Sequence, residues 1–258
     1  MSRAAMPAAL EGCYVISLRP VAAHGGMRRA AAARGARLLA LSPWRIVHRA
    51  DADTRTALDA ALAAPRVVFT SPPAVAAARV LRDLGLVRGT RFVAVGTGTA
   101  RALRRAGVAD VETPARMDSE GLLALPALQS VDGLAVGLVT APGGRGVIAA
   151  TLARRGASVR RADVYERIAV PPAPRAVARL CALDAPLLLA LGSGEALETL
   201  LARLPQAAID RLRRARVAAA SARLAARARA LGFDDVVQAA DATPRALLAA
   251  CAAAAGKP

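Results

Sequence analysis

The chain repeats itself in an order that restricts its possible folds more than any other feature. The segment from "YVISLRP" to "ARGARLLALSPW" aligns with the segment from "AVGLVTA" to "ARRGASVRRADVY" at an offset of 121 residues, which superposes Gly35 on Gly156 and Trp44 on Tyr165. "VVFTSPPAV" aligns with "LLLALGSGEAL" at an offset of 122, and the later segments repeat as well. The order is therefore A-B-A′-B′, and a period above 100 residues indicates two duplicated halves rather than a solenoid.

Each copy alternates short apolar runs with Ala-, Arg- and Leu-rich segments of helical period. "CYVISL", "RVVFTS" and "RFVAVGTG" predict strands, and a helical pattern follows each of them. This alternation predicts parallel sheets covered on both faces by helices. One half of the chain carries too few strands to cover both faces of a sheet, so we expect segments of the two halves to fold together.

Two segments predict connections between domains: "SPWRIVHRADADT" between A and B, and the proline-rich "RIAVPPAPRAV" between A′ and B′. If these linkers lie side by side, the middle of the chain is one domain and the two ends form the other. The predicted fold class is therefore α/β, with two lobes that each contain a parallel sheet flanked by helices. The predicted boundaries are 1–42 plus 176–258 for lobe 1, 54–166 for lobe 2, and 43–53 and 167–175 for the connectors.

Arginine dominates the charge of this chain. The formal net charge is +17, and Lys257 is the only lysine. Two interpretations stay open: a compositional habit of a GC-rich genome that places arginine on solvated helix faces, or a polyanionic partner such as nucleic acid, anionic lipid or a polycarboxylate. Nucleic acid is disfavoured because single-strand binding relies on aromatic stacking, and aromatic residues make up only 2% of the chain.

Residues that bind metals or form disulfides are few and scattered. Cys13, Cys181 and Cys251 form no CxxC pair, and we expect His24 and His48 to stand alone, so neither a metal site nor a disulfide framework is predicted. Arg and Asp interrupt every apolar stretch before it reaches the roughly 18 to 20 residues that span a bilayer. The N-terminal segment has no apolar run of the signal-peptide type. A soluble cytoplasmic protein without a membrane partner is expected.

Glycine-rich turns follow several predicted strands. "GTGTAR" has Arg101 where a dinucleotide-binding motif needs glycine, and "APGGRG" lacks the Lys-Ser/Thr ending of a P-loop. Close packing of helix on strand is one interpretation of these glycines. The other is that strand-to-helix turns direct unpaired N–H groups and a positive helix end outward, which binds carboxylates as well as phosphates. The candidate binding residues in these turns are Ser71, Gly96, Thr97, Thr99, Gly143, Gly144, Ser193 and Ser221.

No nucleophilic catalytic set is visible in the sequence. There is no GxSxG motif, no histidine placed to serve a nucleophile and no closely spaced carboxylate pair at a strand end. An enzyme built on this chain would therefore work by shaping its substrate and stabilising charge.

The residues quoted so far resemble the uroporphyrinogen-III synthase family along nearly the whole chain. The resemblance rests on "SLRP", "FTSPPAV", "VAVGTGTARAL", "DSEGL" and "PGGRGVIAATLARRGASVRRADVYER", and it continues through "GSGEAL" and "ASARLAARARALG". It implies a HemD-like bilobed fold whose lobes are joined by a two-stranded connector, with the active site in the cleft between them. It also implies a cofactor-free cyclising lyase of tetrapyrrole and heme biosynthesis, which we expect to be a monomer.

The resemblance further implies a substrate and roles for individual residues. The substrate would be hydroxymethylbilane, a polycarboxylate linear tetrapyrrole that loses its hydroxyl as water while the ring closes with the terminal pyrrole inverted. By its position in "VYER", Tyr165 matches the family tyrosine proposed to assist loss of the hydroxyl, and simple packing at a strand end is the competing interpretation. Arg19 in "SLRP" and Arg145 in "PGGRG" join the candidate substrate-binding residues. Hydroxymethylbilane synthase, which makes the substrate, is the candidate protein partner.

Two non-catalytic interpretations stay open beside the enzyme. A bilobed small-molecule-binding module and a degenerate synthase-like domain kept for interactions would both bind without turnover. The intact block of motifs from Phe69 to Arg167 favours the enzyme over both.

Overall fold

The fold is known from a computed structural model that describes residues 9–143 and 146–253. The described residues divide into two compact units. The first unit runs up to Arg45 and resumes at Ile168, and the second unit is Ile46–Arg167. The predicted lobe boundaries, 1–42 plus 176–258 and 54–166, stay a prediction.

Strands and helices alternate along the described chain. In chain order the strands are β1 (Tyr14–Ser17), β2 (Arg37–Ala40), β3 (Trp44–His48), β4 (Arg66–Phe69), β5 (Arg91–Ala94), β6 (Val111–Glu112), β7 (Ala135–Thr140), β8 (Ser158–Asp163), β9 (Tyr165–Ala169), β10 (Leu187–Leu191), β11 (Arg216–Ala219) and β12 (Val236–Gln238). The helices are α1 (Gly25–Ala32), α2 (Ala52–Leu62), α3 (Pro72–Leu81), α4 (Thr97–Arg105), α5 (Ser119–Leu123), α6 (Pro126–Gln129), α7 (Val147–Arg154), α8 (Pro174–Ala182), α9 (Gly194–Leu201), α10 (Gln206–Arg213), α11 (Ala222–Ala230) and α12 (Pro244–Ala253).

The first unit contains a parallel sheet whose described strands have the order β12-β11-β10-β1-β2. Side chains of successive strand residues point to opposite faces. Ile16 and Leu189 therefore belong to the core under α8, α9, α10 and α11. Val15 and Leu188 belong to the core on the other face, under α1 and α12. The sheet is buried on both faces, as a parallel sheet requires.

The second unit contains a parallel sheet whose described strands have the order β6-β5-β4-β7-β8. Phe69 and Phe92 pack with ring centroids 6.1 Å apart on the face that α2, α3 and α4 cover. Val68 and Leu138 lie on the opposite face, under α5, α6 and α7. With so few aromatic residues, Ala, Val and Leu fill most of both cores, as the composition predicts.

The chain passes between the two units through β3 and returns through β9, and these two strands pair with each other. The Val170 N–H donates to the Pro43 carbonyl, and the Arg49 N–H donates to the Val164 carbonyl. The two hydrogen bonds pair the end of each strand with the beginning of the other, so the strands are antiparallel. The predicted fold class, two helix-flanked parallel sheets with a two-stranded connector, is confirmed.

The internal repeat accounts for the identical strand orders of the two sheets. An offset of 121 residues places β1, β2 and β3 on β7, β8 and β9, while β4, β5 and β6 correspond to β10, β11 and β12. Gly35 and Gly156, which the alignment superposes, have φ angles of +78° and +81°. Glycine adopts this left-handed conformation without the steric cost that other residues carry. Each sheet therefore combines an A-type segment from one half of the sequence with a B-type segment from the other half.

Candidate active site

Four neighbouring strands of the second unit end at one edge of its sheet. Because β5, β4, β7 and β8 are parallel neighbours, the residues that follow them lie along the same carboxyl edge, where parallel α/β sheets bind their ligands. The structure therefore brings together predicted site residues from four separate turns. Those at this edge are Ser71, Gly96, Thr97, Thr99, Gly143 and Tyr165. Gly144 and Arg145 lie outside the described residues.

Tyr165 and Ser71 contact each other at this edge. The Tyr165 hydroxyl oxygen lies 3.0 Å from Ser71 Oγ, and the Tyr165 side chain is buried. Ser71 is the N-cap of α3, because its Oγ accepts a hydrogen bond from the Ala74 N–H at 3.2 Å. Pro72 and Pro73 follow at the start of α3, where a missing N–H costs no intrahelical hydrogen bond. The start of α3 therefore fixes the position of the serine hydroxyl next to the tyrosine.

A pair of threonines that the sequence did not indicate lies at the same edge. Thr70 Oγ1 donates to Thr140 Oγ1 at 2.8 Å. Both residues line a cleft of about 170 Å³, together with Gly143, Ser119 and Arg161. Pockets for small molecules usually measure roughly 300–1,000 Å³, so this cleft accommodates only part of a large ligand. The single sequence clue to the two threonines is that each lies at the end of a buried strand.

The turn after β5 divides the predicted residues into exposed and buried ones. Gly96 is the N-cap of α4, and Thr97 is exposed at the first position of the helix. Thr99 is buried, and its N–H already donates to the Gly96 carbonyl at 3.0 Å. A Cβ atom on Gly96 would approach the Met117 side chain to 3.3 Å, so packing also favours glycine here. Thr97 is therefore the more accessible threonine of this turn.

The first unit presents a second set of predicted residues at the carboxyl edge of its own sheet. Ser193 follows β10 and caps α9, and Ser221 follows β11 and caps α11, as Ser71 caps α3. Arg19 follows β1, which lies next to β10. Burial lowers the pKa of the Arg19 guanidinium. Within the described residues Arg19 has neither a hydrogen-bond nor an ion-pair partner, so this cation is available to a ligand.

A histidine forms a polar network at the same edge. His24 Nδ1 lies 2.9 Å from Ser17 Oγ, and His24 Nε2 lies 2.8 Å from Ser42 Oγ. His24 and Ser17 are buried. Burial is the main cause that lowers the pKa of His24, and the charges of Arg28 and Arg19 lower it further. The sequence did not indicate this network, in which His24 connects the end of β1 to the second residue after β2.

His24→Gln is expected to reduce the amount of stability that the protein loses when the pH is lowered below about 6.5. Because the pKa of His24 is lowered in the folded protein, the unfolded chain takes up this proton first as the pH falls. The stabilising contribution is therefore complete above the ordinary pKa of about 6.5 and is lost as the pH falls through the lowered folded value. Glutamine keeps a donor and an acceptor but does not titrate.

Urea unfolding at about pH 7.5 and pH 5 measures this effect through the midpoint of the transition. The difference between the two midpoints should be smaller in His24→Gln than in the wild type. His48→Gln is the matched control, because His48 is exposed, and it should keep the wild-type difference. If His24→Gln lost as much stability between the two pH values as the wild type, the assignment to His24 would be wrong.

Potential metal ligands are dispersed in the described part of the chain, and one of its cysteines is buried. Within residues 9–143 and 146–253, no group of three or more His, Cys, Asp or Glu side chains is placed to hold a metal ion. Burial raises the pKa of the Cys251 thiol to about 12, which keeps it protonated and unreactive near neutral pH. Across the same residues, no helix has the length and apolarity to cross a bilayer.

The fold defines a class of α/β protein with two parallel sheets of the same topology and an antiparallel connector. At the carboxyl edge of each sheet, the strand-to-helix turns are rich in hydroxyl groups and helix N-termini. A family model described as uroporphyrinogen-III synthase HemD matches residues 26–249. The chain belongs to the uroporphyrinogen-III synthase family, which confirms the resemblance read from the motifs.

Two curated relatives named uroporphyrinogen-III synthase are similar to this chain. The protein of Salmonella typhimurium (strain LT2) is 36% identical over 162 residues, which cover 62% of this chain and 66% of the relative. The protein of Escherichia coli (strain K12) is 34% identical over 161 residues, which cover 62% of this chain and 65% of the relative. The aligned region thus spans just under two thirds of the length of these relatives.

Two solved structures share the fold. A mutant uroporphyrinogen III synthase from the extremely thermophilic bacterium Thermus thermophilus has a TM-score of 0.61 at 18% identity, with 95% of this chain and 99% of that chain covered. Uroporphyrinogen-III synthetase from Helicobacter pylori 26695 has a TM-score of 0.60 at 15% identity, with the same two coverages. At these identities the likeness supports the architecture of both parallel sheets and carries no argument about individual residues.

Proposed function

We propose that this chain is a uroporphyrinogen-III synthase, which converts hydroxymethylbilane into uroporphyrinogen III and water. In this reaction the substrate loses its hydroxyl, and the ring closes with the terminal pyrrole inverted. The observation that carries the proposal is the family match over residues 26–249. The substrate can also close unaided without inversion, so the main task of the enzyme is to steer a reactive molecule. Turns that orient hydroxyl and N–H groups suit that task.

Tyr165 is the residue that we propose to assist departure of the hydroxyl. Ser71 Oγ already accepts a hydrogen bond from the Ala74 N–H, so its own proton is free to be donated to the Tyr165 oxygen, 3.0 Å away. In this arrangement the phenol proton points to the departing oxygen. Successive hydrogen bonds polarise one another, so the hydrogen bonds from Ala74 to Ser71 and from Ser71 to Tyr165 make the Tyr165 hydroxyl a better donor.

The substrate carboxylates are proposed to bind at the strand-to-helix turns of both sheets. Helix N-termini carry partial positive charge and unpaired N–H groups. In α9 and α11 a serine cap uses one of these N–H groups, so the first-turn N–H groups that remain and the hydroxyl protons of Ser193 and Ser221 are the donors for a carboxylate. In α3 the proline pair after Ser71 has no N–H and the Ala74 N–H is used by the cap, so this turn offers a carboxylate only the positive end of the helix dipole. Thr97 and Gly143 offer further turn positions, and Arg19 supplies a full positive charge.

The reactivity of the substrate bears on partners and location. Because hydroxymethylbilane closes spontaneously to the wrong isomer, rapid transfer from the enzyme that makes it limits the loss. We therefore propose hydroxymethylbilane synthase as a partner, and a monomer acting in the cytoplasm where that enzyme supplies substrate.

Product analysis tests the proposed function. Hydroxymethylbilane is supplied to the purified protein, and the type III and type I products are separated by chromatography. We expect type III product to exceed the type I product that forms without enzyme. If only type I product appeared at the rate of the uncatalysed reaction, the chain would be a binding module rather than a synthase.

Ser71→Ala is expected to lower both turnover and stability, by effects that can be separated. Loss of the α3 cap should cost about 1 kcal/mol of unfolding free energy. Loss of the donor to Tyr165 should lower kcat by about 3- to 10-fold, the equivalent of one neutral hydrogen bond. Thr243→Ala is the matched control, because Thr243 Oγ1 accepts from the Ala246 N–H at 3.2 Å and thereby caps α12.

Urea unfolding and steady-state kinetics on the two variants distinguish the effects. Both variants should lose similar stability, and only Ser71→Ala should lose turnover. An equal kcat in Ser71→Ala and Thr243→Ala would remove Ser71 from the mechanism while leaving its role as a helix cap.

A further inference from the structure

A cluster of two arginines and a tyrosine lies at the edge of the first unit's sheet where its strands begin. Tyr14 and Arg37 are the first residues of β1 and β2, and they lie side by side in the parallel register. Arg19 and Ser193 follow the other ends of strands in the same sheet. The length of the strands thus separates Tyr14 and Arg37 from the turns proposed to bind substrate, and the proposed reaction uses neither residue.

Two arginines converge on the hydroxyl of Tyr14. Arg179 on α8 donates to this oxygen at 2.8 Å, and Arg37 donates to it at 3.2 Å. The two guanidinium carbons lie 5.4 and 5.9 Å from the centre of the tyrosine ring, which is within range of a cation–π attraction. The ring is 6% exposed, whereas both arginines are exposed. The two cations therefore cover the phenol and face solvent.

The cluster contains donors and positive charge without a carboxylate. Among the described residues, no Asp or Glu forms an ion pair or hydrogen bond with Arg37 or Arg179. The phenol oxygen of Tyr14 accepts one hydrogen bond from each guanidinium group, and its own O–H remains a donor. Hydrogen bonds from Arg37 and then from Arg179 lower the pKa of Tyr14. The surroundings of this hydroxyl therefore favour negative charge.

We propose that Tyr14, Arg37 and Arg179 form a binding site for a small tetrahedral dianion of the phosphate or sulfate type. Two guanidinium charges balance a dianion, and a tetrahedral oxyanion has enough oxygens to accept from each of the three donor groups. Arginine also recognises such oxyanions through pairs of parallel N–H groups. One bound ion would connect β1, β2 and α8 and would stabilise the folded protein by mass action. The proposal is independent of the proposed function.

Calorimetric titration with phosphate, at an ionic strength held constant with chloride, tests the two arginines. Arg37→Gln/Arg179→Gln removes both cations of the cluster. Arg214→Gln/Arg223→Gln is the matched control, because it removes the same charge from two exposed arginines of the same unit. The Kd for phosphate should rise at least 10-fold in the first double variant and less than 2-fold in the control. An equal change in both would mean that phosphate follows the overall charge, and it would overturn the site.

A second measurement uses the scarcity of tyrosine in this chain. Tyr165→Phe leaves Tyr14 as the only phenol, so phenolate absorbance reports on Tyr14 alone. A dianion beside the hydroxyl disfavours the phenolate, and its bound charge should raise the titration midpoint by about one pH unit in sulfate relative to chloride. Sulfate is used because it does not titrate in this range. Identical midpoints in the two salts would overturn the proposal even if phosphate bound elsewhere on the protein.

Discussion

Tyr165→Phe is expected to lower kcat by about 10- to 1000-fold with little change in KM. The substitution removes only the hydroxyl, and the ring stays packed in the core that α2, α3 and α4 cover. The loss should fall on kcat because a hydrogen bond to the departing oxygen strengthens as charge develops there, whereas the bound substrate gains little from it.

Kinetics combined with product chromatography check this expectation. The product of Tyr165→Phe should remain mainly type III, because inversion of the terminal ring depends on the shape of the site rather than on one hydroxyl. Urea unfolding of the variant controls for its fold. Wild-type turnover would leave Tyr165 as a packing residue, and a change to type I product would show that Tyr165 positions the substrate.

Gly137→Ala is expected to lower the free energy of unfolding by about 3 kcal/mol, the upper part of the usual range for overpacking. Gly137 lies in β7, where α2 crosses the sheet closely. A Cβ atom on Gly137 would lie 2.8 Å from the carbonyl carbon of Ala61 and closer still to its oxygen. Both are backbone atoms, so no side chain can rotate to make room. Either α2 must move off the sheet or β7 must bend.

Thermal or urea unfolding of Gly137→Ala measures the effect, and the melting temperature should fall by roughly 6–12 °C. Gly192→Ala is the matched control, because a Cβ atom there meets nothing within 4 Å and its φ angle is not positive. That variant should stay within about 0.5 kcal/mol of the wild type. Wild-type stability in Gly137→Ala would show that α2 shifts at negligible cost.

The sequence predicts the elements of this fold well because their patterns are local. The repeat places Trp44 on Tyr165, and the structure has these as the first residues of β3 and β9. Serine before a run of helical period indicates a cap, and Ser71, Ser193 and Ser221 all occupy N-cap positions. Turns that follow strands are visible in the sequence for the same reason.

The contacts within the candidate site could not be predicted, because they depend on which strands become neighbours. Thr70 and Thr140 meet only because β4 lies beside β7 in the sheet. His24 and Ser42 are hydrogen-bonded although 18 residues separate them in the sequence. No sequence motif indicates this contact. Thr99 looks accessible in "GTGTAR", and its burial follows from its position on the inner side of the first turn of α4.

The interleaving of the two halves has a consequence for folding during synthesis. The second unit uses one continuous stretch of chain, Ile46–Arg167, and all its described strands leave the ribosome together. In contrast, β1 and β2 pair with each other early but wait for β10, β11 and β12 before their sheet is complete. At about 5–20 residues per second, the interval between β2 and β10 lasts roughly 7 to 30 s. A two-stranded pair is marginally stable at best, so for that time β1 has an exposed, apolar edge that chaperones can bind, while the second unit is synthesised and completed.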